Sequence, residues 1–280
     1  MSASVLPTKP DAVVAPARPG RPLVRLAQLV TGAVVLAALW QLRLDWTTVA
    51  GLPASIMHYL RLMFAEPDWS KLPYALQQTW VSVQMAWVGA LLGVPVATVL
   101  GIPAAHGVGP LWLRLVLRGI FAVLRAVPEV VIAIVILTVT GLTPFTGALA
   151  LAIGGIGTHA KWTYETIEAA PDGVAEAVRA AGGNLLETAR WGLWPAAAPE
   201  LMSLALYRFE INVRTSAILG LIGVGGVGDL LTGYTQYRTW DAVGVLILVV
   251  VVVTMAIDAA SGAIRQRITK GARIRVAGTD

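Results

Sequence analysis

The residues with chemical potential in this chain are charges set inside apolar runs. Arg208, Glu210 and Arg214 stand within YRFEINVRTSAILG, and Arg125 and Glu129 within LRAVPEVV. A charge at the centre of a membrane helix costs on the order of 3 kcal/mol on insertion scales, so such groups must face protein or water. Glu210 and Arg214 are four apart, as are Arg125 and Glu129, and that spacing predicts a pair along one helix face. Arg208 then needs a partner from another element. Pro128 weakens its helix locally and frees a backbone carbonyl. The excess of Arg, with Asn212 beside it, suits a path or gate for an anionic solute. The competing account is a set of salt bridges that only lock helices together.

The elements that position these charges are membrane spans. The chain has 280 residues, 56% hydrophobic and 13% charged, with a mean hydropathy of +0.71. A soluble domain carries roughly twice that charge fraction. Several runs reach the roughly 20 residues a helix needs to cross the hydrocarbon core. With no Cys, disulfide frameworks, thiol catalysis and Cys-ligated metals are excluded. His58, His106 and His159 are too far apart in sequence to form a metal-ligand spacing. The pI near 9.8 comes from basic residues at span ends and tails, a topology signal rather than a nucleic-acid surface.

Residues 1–20 are Pro/Ala-rich without an apolar core, which predicts a disordered tail and no cleavable signal. Six spans are predicted, at about 23–42, 75–105, 119–141, 145–162, 199–222 and 241–262, with an interfacial, partly helical connection after the first. Gly89, Gly93, Ala97 and Gly101 form a stripe of small side chains that lets a neighbouring helix approach closely. With the N-terminus inside, fourteen Lys/Arg fall in inner segments and four in outer ones, which predicts both ends in the cytoplasm and a cytoplasmic 159–198 segment. Residues 21–43 are the expected first helix, 72–263 the main transmembrane domain and 264–280 a basic cytoplasmic tail.

That cytoplasmic segment, about 172–199, contains EAVRAAGGNLLETARWGLWPAAAP from Glu176 to Pro199. Asp172 is placed to cap a helix starting at Gly173. Val174, Val178, Ala181 and Leu185 make one apolar stripe, with Glu176, Arg179, Gly183, Glu187 and Arg190 opposite. Gly182, Gly183 and Asn184 predict a turn, and Asn184 with Glu187 a capping box that restarts the helix. Pro195 and Pro199 open the fifth span. The segment is too polar to cross a bilayer, so it reads as a docking element for a partner.

Gly223, Gly225, Gly226 and Gly228 satisfy G-x-G-x-x-G, but a dinucleotide site needs a strand before it, and here a charged membrane helix precedes it. The expectation is a close-packed extracytoplasmic turn near the outer mouth, running on to Asp229 and available to a docked protein. No G-x-x-x-x-G-K-[ST] phosphate loop is present, so any ATP chemistry belongs to another chain.

Glu176, Ala177, Gly182 and Pro195 match, position by position, the EAA loop of permease subunits in binding-protein-dependent ABC importers. Gly183, Gly192 and Trp194 depart from that pattern. LYRFEINVRTSAILGLIGVGGVG is similar to the fifth-span stretch of phosphonate importer permeases, and LRAVPEVVIAIVIL…GLTPFTGALALAI to their third and fourth spans. The similarity covers roughly residues 72–262.

The resemblance implies an all-α, six-span type I ABC permease of the bacterial inner membrane, with a coupling-helix loop. It implies a homodimer working with a two-copy cytoplasmic ATPase and an extracytoplasmic solute-binding protein. It also implies phosphonate, or phosphate or phosphite, as cargo. ATP and Mg would sit on the ATPase, with no cofactor, metal, catalytic residue or nucleic acid assigned to this chain. Another small anion such as sulfonate or nitrate, or methionine, is the alternative cargo. An ion-coupled secondary transporter is the alternative class, but the internal repeats and broken helices expected of one are not evident in the sequence.

Overall fold

The computed structural model describes residues 22–42 and 45–277, and the tail expected over 1–20 lies outside them. The described residues are helical, with no strand among them. Two compact units divide the chain, Met1–Met57 and His58–Asp280. The first unit holds α1 (Pro22–Gln41), an apolar helix long enough to cross a membrane. It also holds the start of α2 (Trp46–Phe64).

In the second unit, α3 (Leu72–Gly101) and α6 (Pro144–Glu168) form the central pair. The small-residue stripe predicted on α3 is the contact. A Cβ built on Gly93 would lie 2.7 Å from the Ala152 carbonyl oxygen, and one on Gly101 2.7 Å from Thr163 Cβ. Backbones this close leave no room for side chains between them, the usual way for membrane helices to gain van der Waals contact. Asp68 caps the turn leading into α3, and the hydrogen bonds from Ser70 hold its carboxyl below the usual range.

The third expected span is not one helix. α4 (Leu111–Ala126) and α5 (Glu129–Thr140) meet at an 89° bend. Val127 and Pro128 are extended at the break. Proline disfavours helical backbone in the residue before it and gives no amide hydrogen to the helix ladder.

α6 carries many Gly, Ala and Thr and is the most enclosed span. Among the described residues three helices, with Val24–Gln41, Trp69–Ala104 and Trp240–Ile268 as their apolar stretches, are long and apolar enough to cross alone, and the number is five if each of two bent pairs is one span. α6 at 25 residues is long enough to be a further crossing at 1.5 Å per residue, an arrangement compatible with six.

α7 (Asp172–Ala180) and α8 (Leu185–Glu187) form the polar loop. A π-helical stretch, Thr188–Leu193, then runs without a break into α9 (Trp194–Leu219). α10 (Val227–Gln236) folds back from the end of α9 at 55°. α11 (Trp240–Ala277) extends well past the boundary expected at 262.

The α3–α6 contact yields a prediction. Gly93→Val should lower stability by about 1–3 kcal/mol through overpacking, read as a fall in the thermal midpoint of the detergent-solubilised protein. Gly119→Val, at a glycine with nothing within 4 Å, should leave the midpoint close to wild type. Equal midpoints for the two variants would contradict the contact.

Candidate functional site

α9 presents its polar residues on two faces. At 100° per residue, Arg208 and Asn212 lie together, and Glu210 and Arg214 lie together about 200° away. The first face looks toward α3, α5 and α6, and the second toward α11. Arg208, Glu210 and Asn212 are buried, whereas the Arg214 side chain is 52% exposed.

On the first face Arg208 finds the distant partner it needs. Its guanidinium donates to Glu129 Oε1 at 2.5 Å, with side-chain exposures of 5% and 21%. The pair fits into a notch on α6. A Cβ at Gly154 would lie 2.5 Å from Glu129 Cγ, and one at Gly155 would lie 2.8 Å from Arg208 Nε. His159, one turn beyond Gly155, is fully buried, and neither ring nitrogen has a hydrogen-bond partner in the protein. Arg208 Nε and Asn212 Oδ1 are buried and unpartnered as well. Asn212 Nδ2 donates to the Ala86 carbonyl of α3 at 3.4 Å. The result is a polar seam between α3, α5, α6 and α9 with unpartnered polar atoms, among them the Arg208 Nε donor and the Asn212 Oδ1 acceptor, beside a charge pair that cannot be opened cheaply.

Neither predicted i, i+4 pair forms. Arg125 and Glu129 fall on opposite sides of the α4–α5 break, so they are not on one helix face. Arg125 is exposed, its stem packed against Gly157, and it makes no ion pair among the described residues. Glu210 and Arg214 do share a face, but each turns to α11. Arg265 lies 3.0 Å from Glu210 Oε1, and Arg214 donates to Asp258 Oδ2 at 2.7 Å. A pair of rigid helices offers each long side chain a partner at right angles to its own axis, which local spacing does not reveal. Asp258, Arg265 and His159 were missed by sequence reasoning. Asp258, a lone acid inside the last apolar run, was the available signal.

In the polar loop, Glu176 and Ala177 on α7 are exposed, as are Gly182 and Pro195. Gly182 has φ +88°, so the turn needs a residue without a Cβ penalty there. The capping box forms in both directions, with Glu187 N donating to Asn184 Oδ1 at 3.0 Å and Asn184 N to Glu187 Oε2 at 2.8 Å. The expected stripe is shorter than predicted. Val174 and Val178 are half-buried, whereas Ala181 and Leu185 are exposed because the Gly182 turn rotates them away. α7 also starts at Asp172, with Pro171 at the cap position instead of Asp172. The departures Gly183 and Gly192 fall where α7 packs closest. Their Cβ atoms would stand 2.6 Å from Val178 Cγ1 and 3.2 Å from the Val174 carbonyl oxygen. The π-helical stretch therefore lies directly on α7.

The glycine-rich turn holds φ values of +89°, +94° and +78° at Gly223, Gly225 and Gly226. Gly226 passes Ser82 of α3, whose Oγ accepts from Val227 N at 2.9 Å. Gly228 is not part of the turn but lies in the first turn of α10, against the end of α9. The turn expected to run on to Asp229 thus ends sooner, at the start of α10. There is no strand before it, as a dinucleotide site would need.

The description "binding-protein-dependent transport system inner membrane component" matches residues 97–270. The chain is 39% identical over 191 residues to the phosphate-import permease protein PhnE of Mycolicibacterium smegmatis, which covers 67% of this chain and 35% of that relative. It thus spans about a third of that relative's length. It is 30% identical over 240 residues to the phosphite transport system permease protein PtxC of Stutzerimonas stutzeri, covering 85% and 86% of the two chains. A solved structure of the MetNI methionine ABC transporter in inward-facing conformations shares the fold, with a TM-score of 0.58 at 23% identity over 69% of this chain and 92% of that one. Bent spans alone would also fit a secondary transporter, but the family match is with another class. The chain belongs to the inner membrane components of binding-protein-dependent transport systems.

Proposed function

We propose that this chain is the transmembrane permease of an ATP-driven importer for phosphonate or a related phosphorus oxyanion. One observation carries the mechanism: the exposed loop helix α7 rests on a π-helical stretch continuous with α9, and α9 holds the buried Arg208, paired with the half-buried Glu129 of α5. A push on the loop is thereby a push on the helix that bears the charges. Two relatives named for phosphate and phosphite import support the cargo class, as does the buried, unpartnered Nε of Arg208.

Glu176, Ala177, Gly182 and Pro195 would engage a cytoplasmic ATPase dimer. Nucleotide binding there would draw the loops of two permease copies together and rotate α9. Arg208 would then leave Glu129 and offer its planar fork to a phosphorus oxyanion, an anion geometry that guanidinium matches. Asn212 and His159 line the same seam. Arg125, Glu210 and Arg214 lie outside it and act, in this account, at its approaches or in holding α11. The solute-binding protein would dock at the outer side, near the turn where Gly223 and Gly225 are half-buried and Gly226 and Gly228 are packed beneath. Both termini would lie in the cytoplasm.

Two variants test the parts. Gly182→Pro cannot adopt φ +88° because the proline ring fixes φ near −65°. It should abolish co-purification of the ATPase while the permease still inserts in the membrane, and retained ATPase would refute the docking role. Glu129→Gln should cost about 3–5 kcal/mol of stability by leaving Arg208 buried and unpaired. Glu129→Gln with Arg208→Leu should recover much of that loss in the thermal midpoint while uptake stays absent. Recovery of uptake by the double variant would make the pair purely structural.

A further inference from the structure

The turn that joins α3 to α4, residues 102–110, is gripped from three directions. From α4, Arg118 pairs with Glu168 at the end of α6, and its Nε donates to the Ala104 carbonyl at 2.9 Å. From α6, Glu168 Oε1 also accepts the His106 amide at 2.7 Å. From α7, Arg179 Nη2 reaches the Gly107 carbonyl at 3.5 Å. The Arg118 guanidinium lies 4.2 Å above the Tyr164 ring, which fixes its plane. Beneath these polar links Ala104, Ala105, Phe121, Ile167 and Leu193 form one apolar cluster.

α7 meets the rest of the second unit in several places. Residues 169–171 join it directly to α6, the turn and π-helical stretch lead from it into α9, and Ala175 packs on the apolar cluster. Arg179 adds its hydrogen bond to the 102–110 turn, beside a pocket of about 590 Å³ lined by His106, Arg118, Glu168, Glu176 and Arg179. Glu168 is the last residue of α6, at its joint with α7. Arg118 and Glu168 are 33% and 28% exposed, so a pair of this kind adds little to stability. It does fix the geometry of three elements at once, since one carboxylate oxygen serves both the guanidinium and an amide.

We propose that Arg118 and Glu168 are positioning residues of the coupling apparatus. They tie α4, α6 and the 102–110 turn into the body that α7 moves, so that loop displacement reaches the α5–α6 side of the polar seam as well as α9. Without this clasp α4 and the 102–110 turn would lag behind α6 and α7. Glu129 and Arg208 would then fail to separate in step with nucleotide hydrolysis. This inference rests on the ATP-driven permease function proposed above.

The test uses the whole complex, permease with its ATPase and binding protein, reconstituted in liposomes, and reads solute imported per ATP hydrolysed. Arg118→Gln and Glu168→Gln should each lower that ratio at least about fivefold, the scale of an allosteric coupling factor. ATPase activity and the amount of intact complex on size exclusion should stay close to wild type. Arg118→Lys, which keeps a cation opposite Glu168, should recover most of the ratio. An unchanged ratio in the Gln variants, or uptake that falls only in step with intact complex, would overturn the proposal. The wild-type control separates the two levels. No ATP-driven uptake by wild type overturns the underlying function, whereas normal wild-type uptake with fully coupled variants overturns the clasp alone.

Discussion

The helices around α9 are arranged around the cost of burying Arg208 and bringing the half-buried Glu129 to it. A lone charge in the membrane interior is costly, and breaking a buried pair leaves an uncompensated one. The structure meets this with a 2.5 Å contact between two helices far apart in sequence. The contact requires the chain to break at Pro128, so that Glu129 leads α5 toward α9. It also requires Gly154 and Gly155 on α6, since any side chain there would occupy the space of the pair. The close α3–α6 packing holds α6 where that notch faces Arg208. One ion pair thus accounts for a helix break, two glycines and the order of packing.

The second face of α9 has a different character. Arg214–Asp258 is largely exposed, whereas Glu210 is as buried as Arg208 and its partner Arg265 is 30% exposed, so the first link joins α9 to α11 at lower cost than the second. α9 is then clamped on one side by α11 and held on the other by a pair with one spare donor, Arg208 Nε. Its lower end is the π-helical stretch beneath α7, a distortion of the kind found frequently at functional positions. In the proposed mechanism, movement of the loop would reach the seam through this one uninterrupted element.

Much of this was legible in the sequence, and the reasons are local. The small-residue stripe on α3, the Asn184–Glu187 capping box, the turn at Gly182 and the positive φ in the glycine-rich turn are dictated by neighbours within one or two helical turns. The need of Arg208 for a distant partner followed from the cost of burying it. What was not legible is tertiary. The spacings Arg125–Glu129 and Glu210–Arg214 fit helix pairing equally well, but Pro128 separates the first pair and α11 competes for the second. Gly183 and Gly192 read as departures from a family pattern, and their use appears only when α7 is seen packed on the π-helical stretch. The buried, unpartnered His159 gave no signal, because a single His in an apolar helix is more often a simple packing residue.

The most direct test is ATP-driven uptake by the reconstituted importer, with the binding protein supplied in excess and phosphonate, phosphite, phosphate, sulfonate and nitrate offered in turn. The account predicts nucleotide-dependent import of a phosphorus oxyanion, lost when Arg208 is replaced by Leu together with Glu129 by Gln. Import of sulfonate or nitrate in preference to every phosphorus compound would contradict the assignment of cargo. Import that persists without ATP or without the ATPase would contradict the account as a whole.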